Sequence, residues 1–190
     1  MKKIVLMAAF AVASIAASAQ VYVGGGLGFS SDKAAHPEGV EVKAKNTIKI
    51  LPEVGYKLDD KMAVGIALGF NHSKQGDVKS TGFSVAPYFR YTFVKWNNVG
   101  LFADAQFAYE NLKDEDVQGG QKVENKTNTW SLGIKPGVSV DLTENVTFLA
   151  KVGWLGYRSS KPDGDGMKAS SEFGVDADLT NLSFSMLFNF

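Results

Sequence analysis

The chain has 190 residues, of which 45% are hydrophobic, and its 20 basic side chains balance its 20 acidic ones. Without a basic excess, the composition excludes a protein that binds nucleic acid through bulk charge. The sequence contains no cysteine, which excludes a disulfide framework and a lipoprotein anchor. The length fits a single domain.

The first 19 residues have the pattern of a secretory signal peptide. Lys2-Lys3 form a charged start, an apolar run covers 4–13, and small residues lead up to Ala19. This pattern predicts cleavage between Ala19 and Gln20 and export from the cytoplasm. Residues 20–190 would then form the mature domain, with 18 basic and 20 acidic side chains. No later apolar run approaches the roughly 20 residues that a membrane helix needs.

The mature sequence alternates between apolar and small or polar residues, which is the period of a β-strand. The eight predicted strands cover residues 21–30, 46–58, 62–71, 82–93, 99–110, 129–142, 146–157 and 173–190. In the last strand the apolar positions are odd up to Leu179 and even from Leu182 onward. This change of phase predicts a bulge near Thr180.

The links between the predicted strands alternate in length. Short links fall at 59–61, 95–98 and 143–145, and longer polar links fall at 31–45, 72–81, 111–128 and 158–172. In an antiparallel meander this alternation places all the long loops at one end of the sheet. An even number of strands then places both chain ends at the end with the short turns.

The two faces of the strands differ sharply. One is aliphatic and aromatic, and the other is Gly, Ala, Ser and Thr with single charges. Those charges are Lys49, Glu53, Lys57, Arg90, Asp104, Glu110, Lys135, Asp141 and Lys151. A soluble lipocalin-like barrel would turn the apolar face inward, around a ligand cavity. An outer-membrane barrel would turn it toward lipid.

Three features favour the membrane barrel. A surface facing water would carry more charge than this small-residue face, which suits the tight lumen of eight strands. The predicted strands are close to the roughly 9–11 residues that cross a bilayer when tilted. Tyrosine and tryptophan lie near strand ends, where aromatic girdles meet the membrane interfaces. These aromatic residues are Tyr56, Tyr91, Trp96, Tyr109, Trp130 and Trp154.

With its alternating strands, its signal peptide and a final Phe190 preceded by Phe184 and Phe188, the chain resembles the small OmpA/OmpX-type outer-membrane barrels of Gram-negative bacteria. The resemblance implies an all-β, eight-stranded antiparallel up-and-down barrel that lies in the outer membrane as a monomer. It also implies that these three phenylalanines form the signal read by the barrel-assembly machinery. The implied surroundings are the lipid bilayer, and no nucleic acid is expected.

The nine inward charges are nearly balanced in sign, five basic and four acidic. Charges in a narrow lumen are unfavourable unless they are paired. We therefore expect a salt-bridged, closed interior, with a narrow pore for ions or small solutes as the alternative. A structural or surface-interaction role, in adhesion or envelope integrity, would then belong to the four long loops, whose partner the sequence does not identify.

An enzymatic role has weak support in the sequence. Some small barrels modify lipid A, and His72-Ser73 is the candidate pair for such a deacylase. Adjacent strand residues point to opposite faces, so these two side chains cannot act together. The segment 162–166, with two Asp-Gly pairs, is typical of a tight turn and lacks the full pattern of a calcium loop. We expect no catalytic residues, no metal and no cofactor.

Overall fold

The computed structural model describes residues 20–32, 44–76, 78–118, 121–164, 166–176 and 183–190. The predicted signal peptide with Ala19 and the predicted bulge near Thr180 lie outside these ranges. Among the described residues, no helix is long and apolar enough to span a membrane.

The described residues form ten strand segments. They are β1 Val21–Asp32, β2 Lys45–Lys57, β3 Met62–Gln75, β4 Val78–Trp96, β5 Val99–Gln118, β6 Gln121–Thr143, β7 Val146–Lys151, β8 Trp154–Pro162, β9 Ser170–Asp176 and β10 Ser183–Asn189. Segments β7 and β8 together make the seventh strand of the barrel, since both pair with β6. Segments β9 and β10 together make the eighth, since β9 pairs with β8 and β10 pairs with β7.

The sheet closes into an antiparallel barrel of eight strands. Strands β1 to β6 pair in sequence order, β7 and β8 pair with β6, and β10 pairs with β1 to complete the ring. The predicted fold class is therefore confirmed. Short turns at 58–61, 97–98 and 144–145 lie at one end. The backbone N–H of Phe190 donates to the carbonyl of Val21 at 3.0 Å, and that of Asn189 to Asn145 at 2.8 Å. Phe190 and Val21 thus lie together at the short-turn end.

Two of the predicted long loops continue as strands instead. Strands β3 and β4 remain paired out to Gln75 and Val78, and β5 and β6 out to Gln118 and Gln121. The prediction of loops at 72–81 and 111–128 is wrong, because polar composition does not by itself indicate an irregular backbone. A hairpin that extends into water keeps its backbone hydrogen bonds while its side chains become polar. We call these extensions the long hairpins.

The seventh strand contains a break that reverses the faces of its side chains. Between β7 and β8, Gly153 adopts φ +66°, a left-handed conformation that favours glycine. Odd residues such as Leu149 point inward before the break, and Trp154 points inward after it, with only 9% of its surface exposed. The prediction that Trp154 belongs to an outward aromatic girdle was therefore wrong.

The outer surface of the barrel is apolar and the interior is polar or small. Large outward side chains such as Phe29 and Leu132 are 75% and 62% exposed, whereas Glu53 and Asp104 are buried. This is the distribution of a barrel that faces lipid, and it is the reverse of the lipocalin-like alternative. The buried apolar side chains include Tyr22, Tyr88, Phe102, Leu149 and Leu187.

Gly55 tests how tightly the lumen is packed. A Cβ atom at Gly55 would overlap the ring of Tyr22, which is 1% exposed and is held through its hydroxyl by the hydrogen bond to Tyr88. Gly55→Ala should therefore lower the free energy of unfolding by about 1–3 kcal/mol, as overpacking does. Urea titration followed by heat-modifiable gel mobility measures this change.

Gly28→Ala is the matched control, since the nearest atom to its new Cβ is Lys49 Cβ at 3.4 Å. Equal unfolding midpoints for the two variants would contradict the packing argument.

Candidate functional site in the barrel interior

Four charged side chains meet at the middle of the lumen, and we call them the ion cluster. They are Glu53 on β2, Arg90 on β4, Asp104 on β5 and Lys151 on β7. Arg90 and Asp104 lie directly opposite each other in the ladder between β4 and β5. Strand pairing alone therefore brings Arg90 and Asp104 together, while barrel closure brings in Glu53 and Lys151.

The geometry of the ion cluster is that of strong charge-assisted hydrogen bonds. The guanidinium of Arg90 donates from Nε and Nη2 to the two oxygens of Asp104, at 2.7 and 2.9 Å. Lys151 Nζ lies 3.1 Å from both Glu53 Oε2 and Asp104 Oδ2. Two cations and two anions make the cluster neutral, which offsets the penalty of removing them from water.

Glu53 Oε1 is the least satisfied atom of the ion cluster. It makes no hydrogen bond within the described residues, although Arg90 Nη2 lies 3.7 Å away. The two observations agree, because 3.7 Å permits electrostatic attraction but is too long for a hydrogen bond.

Aromatic rings surround the ion cluster. The hydroxyl groups of Tyr22 and Tyr88 are hydrogen bonded at 2.8 Å. The Arg90 guanidinium carbon lies 5.1 Å from the centroid of Tyr88 and 4.5 Å from that of Phe102, within the range of cation–π attraction. The ion cluster and these three rings together are called the barrier below.

The barrier separates two cavities. The short-turn cavity has a volume of about 500 Å³, and its lining includes Lys57, Asp59, Lys95 and Asp141. The long-hairpin cavity has a volume of about 480 Å³ and lies on the other side of the barrier. Its charged and aromatic lining residues are Lys49, Glu110, Lys135, Lys151, Trp154 and Arg158.

The structure distributes the nine charges expected in the interior over three places. Glu53, Arg90, Asp104 and Lys151 form the ion cluster. Lys57 and Asp141 line the short-turn cavity, and Lys49, Glu110 and Lys135 line the long-hairpin cavity. Polar neighbours orient two of these carboxylates. Asp141 accepts from the Thr147 hydroxyl at 2.8 Å, and Glu110 accepts from the Asn71 amide at 3.3 Å.

Sequence reasoning missed two further basic residues that lie on strands and line the cavities. Lys95 lines the short-turn cavity and pairs with Asp141 at 3.3 Å. A register shift between Thr92 and Val94 turns Lys95 away from the face that strict alternation assigns to it. Arg158 was assigned to a long loop, yet it lies on β8. The break at Gly153, which turns Trp154 inward, also turns the side chain of Arg158 toward the lumen.

The candidate hydrolase pair is divided between two faces. His72 Nδ1 is 3.0 Å from the Thr81 hydroxyl, while the neighbouring Ser73 is buried on the inner side. Within the described residues, no group of three His, Asp or Glu side chains could hold a metal ion.

The β5–β6 hairpin carries a charged network beyond the aromatic pair Tyr109–Trp130, whose ring centroids are 4.6 Å apart. Lys113 Nζ lies 3.0 Å from carboxylate oxygens of Glu115 and Glu124. Hydrogen bonds to Glu124 and Glu115 raise the pKa of Lys113 above its ordinary value. This part of the hairpin is a solvated, charged surface, unlike the apolar wall below it.

The known proteins that this chain resembles have the same barrel architecture. Residues 4–185 match the family described as outer membrane protein beta-barrel domain. The structure of Neisserial surface protein A has a TM-score of 0.51 and 17% identity, covering 91% of this chain and 98% of that one. OprG from Pseudomonas aeruginosa has a TM-score of 0.52 and 15% identity, covering 90% and 96%. At these identities the likeness concerns the fold. No curated protein matches the sequence.

The burial of the ion cluster predicts an asymmetric response to mutation. Arg90→Met leaves two buried carboxylates against one ammonium, so the free energy of unfolding should fall by about 3–5 kcal/mol. The double variant Arg90→Met/Asp104→Leu removes both charges of the bidentate pair and should be more stable than Arg90→Met alone. Urea titration of the folded band on gels measures both.

Lys95→Met is the control, because its pair with Asp141 is much more exposed and should contribute less than about 1 kcal/mol. A double variant less stable than Arg90→Met would refute the proposed origin of the loss.

Proposed function

The chain belongs to the outer-membrane β-barrel family, and on that premise we propose that it is a closed barrel with a structural or surface-contact role. The family implies the outer membrane of a Gram-negative bacterium, with lipid around the apolar wall. We further propose that residues 1–19 are a signal peptide, cleaved between Ala19 and Gln20. Export by this route would deliver the mature chain to the periplasm.

The observation that carries the proposal of a closed interior is the barrier between the two cavities. An open path would require the separation of Arg90 from Asp104, whose side chains are 8% and 2% exposed. Breaking a buried ion pair is strongly unfavourable when neither charge gains another partner. The tyrosine pair and Phe102, which is fully buried, occupy space beside the ion cluster. These features favour a plug over a channel.

The long hairpins support a role at the cell surface. β5 and β6 have 20 and 23 residues, well beyond the roughly 9–11 that a tilted strand needs to cross a bilayer. Among the described side chains, the outer part of the β5–β6 hairpin carries the charged Lys113 network. We propose that these hairpins extend outside the cell and contact a polar partner. The name of Neisserial surface protein A describes a surface protein of the same fold.

Conductance distinguishes the closed barrel from the narrow pore, which is the alternative. The purified protein in planar bilayers should give no sustained, well-defined open states. Glu53→Ala and Arg90→Ala should mainly reduce the unfolding midpoint in urea, because each leaves buried charge unpaired. A pore would behave differently, since stable open states would appear and both variants would mainly change their conductance.

Lys74→Ala is the matched control for these recordings, because Lys74 is exposed on β3 away from the lumen. Regular open states in the unmodified protein would contradict the closed interior.

We also propose that Phe184, Phe188 and Phe190 form the signal for the barrel-assembly machinery. All three are exposed on the outer side, at 50%, 49% and 47%, and β10, which carries the first two, pairs with β1. The machinery would read their rings before the barrel closes, when the edge of this strand is still unpaired.

Phe190→Ser should reduce the folded protein found in outer membranes several-fold, while protein refolded in detergent keeps its urea midpoint. The reason is that Phe190 would act in recognition and contributes little packing. Phe93→Ser is the control, since Phe93 is 52% exposed and also lies near the short-turn end. Equal losses in cells for both variants would argue for a general effect of lost apolar surface.

A further inference from the structure

The long-hairpin cavity contains more positive than negative charge. Lys49, Lys135 and Arg158 line it together with one acidic side chain, Glu110. Lys151 also reaches the cavity, but its ammonium already pairs with both carboxylates of the neutral ion cluster. The cavity thus has a net excess of two positive charges among its described lining residues.

The three cations have no ionic partner among the described residues. No ion pair there includes Lys49, Lys135 or Arg158. Glu172 lies directly across the ladder from Arg158 but forms no pair with it. Glu110 is engaged by the Asn71 amide. Like charges that share a confined space repel each other, so a bound anion would be stabilising there.

Trp154 gives this cavity a nonpolar wall. Its ring lies beneath the Arg158 guanidinium, with 4.8 Å between the carbon and the ring centroid. This stacking restrains the planar guanidinium, whose paired N–H groups match the oxygens of a carboxylate or phosphate. A volume of about 480 Å³ is within the range of small-molecule sites.

We propose that the long-hairpin cavity is a binding site for a small oxyanion carrying a carboxylate or phosphate group. Lys49, Lys135 and Arg158 supply the charge, and Trp154 supplies the nonpolar contact. The anion arrives from the long-hairpin end and need not pass the barrier. The proposal is therefore independent of whether the barrel conducts.

Trp154 makes the proposal testable with a built-in reporter. The sequence has three tryptophans, and the other two, Trp96 and Trp130, are outward and exposed. In the variant Trp96→Phe/Trp130→Phe, all tryptophan fluorescence comes from the cavity. Iodide, an anionic quencher, should quench it at least about threefold more strongly than caesium, because a cationic cleft concentrates anions.

Charge removal provides the decisive comparison. In that background, Lys49→Gln/Lys135→Gln should bring the iodide and caesium quenching constants to about the same value, because the excess charge is removed. Lys74→Gln, on the outer surface of a long hairpin, should leave the iodide preference unchanged. Equal quenching in the parent, or equal loss of preference in both variants, would overturn the cationic site.

Binding itself is tested by protection. Inorganic phosphate and succinate, as the two oxyanion probes, should each be assayed against chloride at equal ionic strength. Saturable protection of Trp154 from iodide by either probe, beyond that given by chloride, would support the site and show which group it prefers. Protection no greater than that of chloride would overturn it.

Heat-modifiable mobility confirms that each variant is folded. If Lys49→Gln/Lys135→Gln fails to fold, Arg158→Gln at the exposed rim replaces it.

Discussion

The pairing of β1 with β10 is the constraint on which the rest of the structure depends. Lipid offers no hydrogen bonds to an open sheet edge, so a membrane sheet must close on itself. The register joins Tyr22 to Asn189 and Gly25 to Met186. Gly24 and Gly26 permit this approach, because a Cβ at either position would strike a backbone carbonyl oxygen of β10. The glycine run near the start of the mature sequence thus has a specific role at the seam of the barrel.

Closure with eight strands determines how wide the lumen is and how its side chains must pack. The lumen is only wide enough to be filled by side chains, and the seam contributes two of them, Tyr22 and Leu187, to the buried core. Charges in such a space must find partners of opposite sign, and the ion cluster does so across strands far apart in sequence. Lys151 and Glu53 are separated by 98 positions. The closed ring is therefore what neutralises the ion cluster, and this neutral cluster in turn permits the ring to be narrow at the middle of the lumen.

The sequence predicts the architecture well because alternation is a property of each strand by itself. It predicts Glu53, Arg90 and Asp104 as inward residues for the same reason, although it does not predict which charges meet. The errors come from shifts of one residue. A glycine at 153 and a bulge after Thr92 each reverse the faces that follow, and alternation carries no information about such shifts. The long hairpins were missed for a different reason, since strand pairing in water tolerates the polar residues that usually indicate loops.

The two cavities differ in charge, and this difference favours retention of an anion over its passage. In the short-turn cavity, Arg90 belongs to the neutral ion cluster, and Lys57, Lys61 and Lys95 are balanced by Asp59, Asp60 and Asp141. The long-hairpin cavity has excess positive charge. An anion that enters from the long-hairpin end would move from an attractive region toward the buried carboxylates of the ion cluster. Beyond them it would meet no further attraction. A conduction path for anions needs favourable sites that continue to the exit, and the lining charges provide them on one side of the barrier alone.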